Sequence, residues 1–178
     1  MGTGSGEGVA SRLAVVVMGV SGSGKSSVGE GLASALGIDF VDGDGLHTPE
    51  NVAKMASGTP LVDDDRWPWL DRIGSTLADR AAHPAGIVVA CSALRKIYRD
   101  RIRAAAGQPI RFVFLDAPQS LVQERLGARK GHFMPPSLLD SQYATLERPT
   151  GEDDVIPVAV DVSVAEIVRR ASSKLAGR

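Results

Sequence analysis

The chain has 178 residues, 43% of them apolar, which is one domain by length and enough to bury a core. Its 20 basic and 21 acidic residues leave a net charge of −1, so no bulk field attracts nucleic acid or an anionic membrane, and an anionic ligand must be met by local basic groups. The single cysteine, Cys91, excludes an internal disulfide and argues against a cysteine-built zinc site, as expected of a protein of the reducing cytoplasm.

Residues 1–12 form a Gly/Ser-rich stretch expected to be a disordered tail, and nothing there resembles a signal peptide. Leu13 to Met18 is an unbroken apolar run suited to a buried parallel strand and far too short to span a bilayer. It leads into Gly19-Val20-Ser21-Gly22-Ser23-Gly24-Lys25-Ser26-Ser27, which fits the G-x-x-x-x-G-K-[ST] phosphate-binding pattern at every fixed position. A helix follows, with Val28, Leu32, Ala35 and Leu36 at helical spacing and Gly37 placed to end it. Strand, glycine loop and helix together are the context the motif needs. Gly22, Ser23, Gly24 and Ser27 would turn main-chain N–H groups around phosphates, Lys25 would reach the outer phosphates, and the Ser26 hydroxyl would ligate Mg²⁺.

A short second strand, Ile38 to Val41, delivers Asp42-Gly43-Asp44-Gly45-Leu46-His47. Thr48-Pro49-Glu50 reads as an N-cap, a proline at N1 and an early acid, predicting a helix from Pro49 to about Ser57. A second helix is predicted from Arg66–Pro68 to about Ala82, where His83-Pro84 stops it. Gly86 to Cys91 is a third strand, followed by a helix with Ser92 as its N-cap, ending at Gly107. Ile110 to Leu115 is a fourth strand closed by Asp116-Ala117-Pro118, where Asp116 reads as turn and capping chemistry rather than a metal ligand. Helices are then predicted from Gln119 to about Arg129 and from Pro135-Pro136 through Leu146. A fifth strand at Val155 to Val160 and a closing amphipathic helix marked by Val164, Ile167, Val168, Ala171 and Leu175 complete the chain.

This alternation predicts an α/β, three-layer fold with a five-stranded parallel sheet, its ligand-facing loops gathered at the carboxyl ends of the strands. One domain is expected over residues 13–178, with two parts beyond a minimal core: a helical insert at about 45–84 and a lid at about 125–146. Small P-loop kinases carry a substrate-binding insert and a lid at these positions, the lid keeping water from the γ-phosphate.

Four stretches carry a more specific likeness: Phe40 to His47, Lys54 to Leu70, Ala90 to Asp100, and Gly131-His132-Phe133-Met134-Pro135 through Leu138 to Glu147. Together they resemble gluconokinases of the small P-loop type, a group similar in fold to shikimate kinase and adenylate kinase. The likeness runs from Leu13 to the C-terminal helix and departs mildly at Asp42, where many members carry Glu, and at Thr48, often Pro. The resemblance implies ATP-dependent phosphorylation of the 6-hydroxyl of D-gluconate, with Mg²⁺, in a homodimer that needs neither nucleic acid nor a membrane.

Asp42 and Asp44 alternate along an extended chain and so share one face near the P-loop, Asp42 holding a Mg²⁺ water and Asp44 orienting or deprotonating the acceptor hydroxyl. The bland alternative is a polar turn with two solvated aspartates. Arg66 and Arg95, at helix beginnings near the ligand edge, suit a substrate carboxylate or a phosphate; His47, Lys54, Asp65, Ser92 and Gln142 are further contacts to hydroxyls or the carboxylate. Arg125 and Arg129, four apart on one helix, read as clamps on the ATP phosphates that neutralise charge in transfer, with Arg125 also able to stack on adenine. His132 belongs to the lid as an accessory contact. Trp67 and Trp69 are expected to pack the insert and wall the pocket, and Cys91, without a basic partner, to be a small core residue. Two other functions use the same P-loop: a kinase for another small hydroxy acid such as shikimate, or for a nucleotide, and a non-catalytic nucleotide switch. Against the switch, the chain lacks an Asn-Lys-x-Asp guanine-reading sequence.

Overall fold

Leu13–Met18 forms β1, the central strand of a parallel five-stranded sheet. Its companions are β2 (Asp39–Asp42), β3 (Gly86–Ala90), β4 (Arg111–Asp116) and β5 (Val155–Ala159), in the spatial order β2-β3-β1-β4-β5. The computed structural model describes residues 12–128 and 136–177, so residues 1–11 of the expected tail lie outside it, while its last residue, Arg12, is held by donating to the carbonyls of Leu77, Asp79 and His83. Paired on both sides and covered on both faces, β1 buries Val15, Val16, Val17 and Met18 completely, which is why its sequence is a continuous apolar run rather than an alternating one.

The two-residue period of the strand distributes these side chains between two cores. Val15 and Val17 meet Val28 and Leu32 of α1 (Lys25–Leu36) and Ile167, Ala171 and Leu175 of α7 (Val164–Ala176). Ala14, Val16 and Met18 meet Leu70, Ile73 and Leu77 of α3 (Asp63–Ala78) and Tyr98 and Ile102 of α4 (Lys96–Ala106). The remaining described helices are α2 (Pro49–Ala56), α5 (Gln119–Ala128) and α6 (Pro136–Thr145). The connection from β1 to β2 and that from β3 to β4 leave the sheet centre in opposite directions, which opens a crevice at the carboxyl ends of β1 and β3.

Two helix starts differ from the sequence expectation. Helix α3 begins at Asp63, three residues before Arg66: Asp63, Asp64 and Asp65 complement the helix dipole, and the Asp65 carboxylate accepts from the Val62 amide at 2.9 Å. Pro68 therefore falls inside the helix, where it removes one ladder bond near the first turns. Helix α4 begins at Lys96 rather than after Ser92, because residues 92–95 are held open by a buried arginine on the same helix. The fully buried Arg99 donates from Nη1 to the carbonyls of Ala93 (2.9 Å) and Leu94 (3.1 Å) and from Nη2 to that of Glu147 (3.0 Å). Ala93 adopts φ +46° within that loop. At the end of β4, Asp116 pairs with Arg148 at 2.6 Å, in keeping with a structural role.

Arg99 is neutralised by Glu152, whose side chain is 6% exposed, at 2.7 Å, and Glu152 also accepts from Arg103 at 2.7 Å. Burial opposes ionisation of Glu152, but the hydrogen bonds from Arg99 and Arg103 prevail and hold its carboxyl below the ordinary range. Its stabilising contribution is therefore complete above the ordinary glutamate pKa and is lost as pH falls through the depressed value. Replacing it, Glu152→Ala, should lower unfolding free energy by about 3–5 kcal/mol in urea titrations, because a buried guanidinium is left without its counter-charge. A loss under 1 kcal/mol would contradict this reading.

Candidate active site

Helix α1 starts differently from its neighbours. Helix α2 is capped by Thr48 and α7 by Ser163, and each carries a glutamate in its first turn, whereas α1 has Gly24 at its cap, no side-chain cap and no acid in the first turn. Its first amides are left for an anion, and the dipole favours one. Gly22 (φ +81°) and Gly24 (φ +98°) take left-handed conformations that aim the loop's main chain inward. Ser23 is 1% exposed and its Oγ has no partner, and Ser27 lines the mouth of the loop. Lys25 Nζ donates to the carbonyl of Val20 at 3.0 Å, which folds the side chain back over the loop. Burial lowers the pKa of its ammonium, opposed most by the carboxylate of Asp44.

Opposite the loop stand the two aspartates, though not on the extended chain expected from their spacing. Asp42 ends β2 and caps a 3₁₀ turn, Gly43–Leu46, so that its Oδ1 accepts from the Asp44 amide at 3.0 Å. A side-chain cap competes locally with continuation of the strand, as Asp followed by Gly favours. The other oxygen, Oδ2, accepts from Ser26 Oγ at 3.1 Å across the loop's mouth. Gly43 permits this approach: a Cβ there would lie 2.3 Å from the carbonyl oxygen of Ala90 at the end of β3.

Two cavities meet here. The smaller, about 220 Å³, is the phosphate-loop depression, floored by Gly22, Gly24, Lys25 and Ser26 and flanked by Asp42 and Asp44. The larger, about 570 Å³, is walled by His47, Arg66, Trp69, Ser92, Tyr98 and Gln142. Ser21, Lys25 and Asp44 border both. Arg66, which lines the large cleft, lies over the Tyr98 ring at 5.4 Å and donates to the Leu61 carbonyl at 3.4 Å, while its Nε is buried without a partner. His47 stacks on Trp69 with centroids 4.1 Å apart, and Trp69 Nε1 donates to the Gly43 carbonyl at 2.8 Å. Gln142 accepts from the Ser21 amide at 3.2 Å, tying α6 to the phosphate loop.

Other expected contacts stand elsewhere. Arg95 pairs with Asp63 at 2.7 Å and Glu147 at 3.2 Å and does not line the cleft; once α4 starts at Lys96, its side chain bridges α3 to the chain after α6. Lys54 and Asp65 pair with one another at 2.6 Å, bracing α2 against α3, and neither lines the cleft. Arg125 donates to the carbonyl of Val160. Arg129 and His132 lie outside the described residues. Trp67 packs edge-on to Tyr98 at 6.1 Å, and Cys91 is buried in the core, its thiol pushed up to about 12 by burial. Tyr98, on α4, and Ser21, a variable position of the motif, line the cleft without having been expected there. Sequence reasoning also missed Asn51, which is buried on α2.

Mg²⁺ fits the donor set at the loop's mouth. The Ser26 hydroxyl and the Asp42 carboxylate already meet there. A hydroxyl and a carboxylate are hard oxygen donors, the kind that suits a cation otherwise held by phosphate oxygens and water.

A family model described as an AAA domain matches residues 15–149. The chain is 46% identical over 159 residues to a gluconokinase of Gluconobacter oxydans, covering 87% of this chain and 89% of that one. A crystal structure of a gluconokinase from Sinorhizobium meliloti is similar with a TM-score of 0.84 and 53% identity, covering 93% of each chain. Shikimate kinase from Aquifex aeolicus is similar in fold, with a TM-score of 0.60 at 17% identity over 92% of this chain and 96% of that one. With the phosphate loop, the facing acids and these likenesses in agreement, the chain belongs to the gluconokinase family of P-loop kinases.

Proposed function

We propose that the protein transfers the γ-phosphoryl group of ATP to the 6-hydroxyl of D-gluconate, giving 6-phosphogluconate and ADP. The observation that carries this reading is the shared border of the two cavities: Lys25 and Asp44 stand where a phosphate cradle opens into a cleft containing Arg66. A sugar acid offers one carboxylate and a row of hydroxyls, and the cleft offers one guanidinium and several polar side chains. The family likeness supplies the identity of the acid.

In this mechanism the loop amides and Lys25 hold the phosphates and offset the charge that develops on them. Asp44 orients the 6-hydroxyl and accepts its proton as the sugar oxygen bonds to the γ-phosphorus and the bond to the β-phosphate oxygen breaks, releasing ADP. Arg66 fixes the substrate carboxylate at the far end, so that the acceptor oxygen is presented in one orientation. Ser26 and Asp42 would hold Mg²⁺, which supplies charge neutralisation at the phosphates.

The reading extends to parts that rest on the family likeness and the residue pattern. Residues 45–84 act as the acceptor-binding insert and 125–146 as a lid, with Arg125 and Arg129 closing on the ATP phosphates and His132 on the acceptor. The protein works as a homodimer in the cytoplasm. No helix among the described residues is long and apolar enough to cross a membrane.

A coupled assay for ADP release over gluconate, shikimate and nucleoside monophosphates tests the assignment. Turnover is expected with gluconate, and robust turnover only with shikimate or a nucleotide would overturn it. ATP binding without phosphorylation of any acceptor would favour a nucleotide switch. Replacing the base, Asp44→Asn, should lower kcat on gluconate by about 10²–10⁴-fold while leaving ATP affinity, measured by calorimetry, within about twofold. An unchanged kcat would remove Asp44 from the chemistry.

A further inference from the structure

Asn51 is the buried residue of α2, 3% exposed, on the face that Lys54 braces against α3. Its Nδ2 donates to the main-chain carbonyl of Asp65 at 2.8 Å, and that contact fixes which way the amide faces. Turned over, the amide would set its own oxygen against a carbonyl oxygen. The second hydrogen on the same nitrogen is directed to the other neighbour within reach, Nδ1 of His47 at 3.4 Å. A donor facing Nδ1 requires a lone pair there, so the neutral ring carries its proton on Nε2. Stacking within 15° of Trp69, itself tied to Gly43, fixes the plane of the ring, and a ring reversed within that plane would set Cδ2–H against the Asn51 N–H in place of the Nδ1 acceptor.

We propose that Asn51 is a positioning residue that holds His47 as the neutral Nε2–H tautomer, giving the cleft an uncharged hydrogen-bond donor for a hydroxyl of the acceptor. This rests on the reading of the larger cavity as the acceptor site. The groups facing the ring agree on balance. Burial disfavours the imidazolium most strongly; Asp44, from the 3₁₀ turn, favours it; Arg66, from α3, opposes it, and the pKa of His47 lies below its ordinary value. The Asn51 N–H from α2 further opposes a second proton at Nδ1. The consequence concerns Asp44. An imidazolium beside that carboxylate would make it a weaker base, whereas a neutral donor helps to align hydroxyls without spending the charge the reaction needs.

The test is long-range ¹H–¹⁵N correlation NMR of the full chain labelled at histidine. The chain has three histidines, so His47 is assigned by the signal lost in His47→Gln. In the wild type without substrate, Nδ1 is expected to appear unprotonated and Nε2 protonated, and to stay so as pH falls through 6.5, the ordinary histidine value. In Asn51→Asp, an acceptor replaces the donor, so the proton should move to Nδ1, the His47 pKa should rise, and KM for the acceptor should increase about 3–10-fold with KM for ATP unchanged. Asn51→Leu, which removes the donor without adding charge, should give a mixture of tautomers and a KM change in the same direction. A wild-type ring protonated on Nδ1, or doubly protonated at pH 7, would overturn the proposal. So would a variant with an altered tautomer and an unaltered acceptor KM. The tautomer is read in the free protein, so a failure of the gluconate assignment would leave that spectrum unchanged, and the two failures are distinguishable.

Discussion

A helix that begins without a capping side chain leaves its first amides to whatever anion the surroundings allow, and the carboxyl edge of this sheet is arranged around those amides at the start of α1. An acidic pair so close to a phosphate site is unfavourable unless a cation or a proton transfer makes use of it. The chain holds the pair in place by two devices: the approach of Gly43 to Ala90, which no larger residue permits, and the hydrogen bond from Ser26 to Asp42. Each Asp42 oxygen already has a partner, one on the turn and one on the loop, so the carboxylate is oriented before any ligand arrives. Asp44, whose amide is the turn's donor, keeps its carboxylate for the cleft.

The same edge is supported from below by the charge buried around Arg99. One guanidinium gathers the carbonyls of Ala93, Leu94 and Glu147, and so links the loop after β3 to the chain leaving α6. The loop supplies Ser92 and Leu94 to the cleft, and α6 supplies Gln142, which reaches back to the phosphate loop. Three segments distant in sequence are thus joined through one buried cation whose counter-charge, Glu152, comes from just before β5.

Much of this was legible in the sequence. The apolar run at Leu13–Met18, the glycine pattern after it and the Thr48-Pro49 start of α2 each reflect local rules, and the structure follows them. What local rules misplace is decided over distance. The start of α4 depends on Arg99 meeting carbonyls five and six residues back and Glu152 far along the chain, and no helix-start signal contains that information. Asp42 and Asp44 were expected near the loop on strand geometry, and they arrive there by a capped turn instead. Arg95 was expected as a ligand from its place at a helix beginning near the ligand edge, and Lys54 as a weaker contact; the acids that pair with them, Asp63 and Asp65, come from the three-acid start of α3, which local signals placed outside the helix.

The most direct test of the central claim, that a cradle of main-chain amides faces a carboxylate that presents an alcohol for attack, is a crystal structure with D-gluconate and a non-hydrolysable ATP analogue bound together. The terminal hydroxyl should lie within about 2.6–3.2 Å of the Asp44 carboxylate and in line with the γ-phosphorus, with the sugar-acid carboxylate at Arg66. A sugar-acid carboxylate beside Asp44, or an Asp44 side chain turned away from the phosphates, would contradict the account.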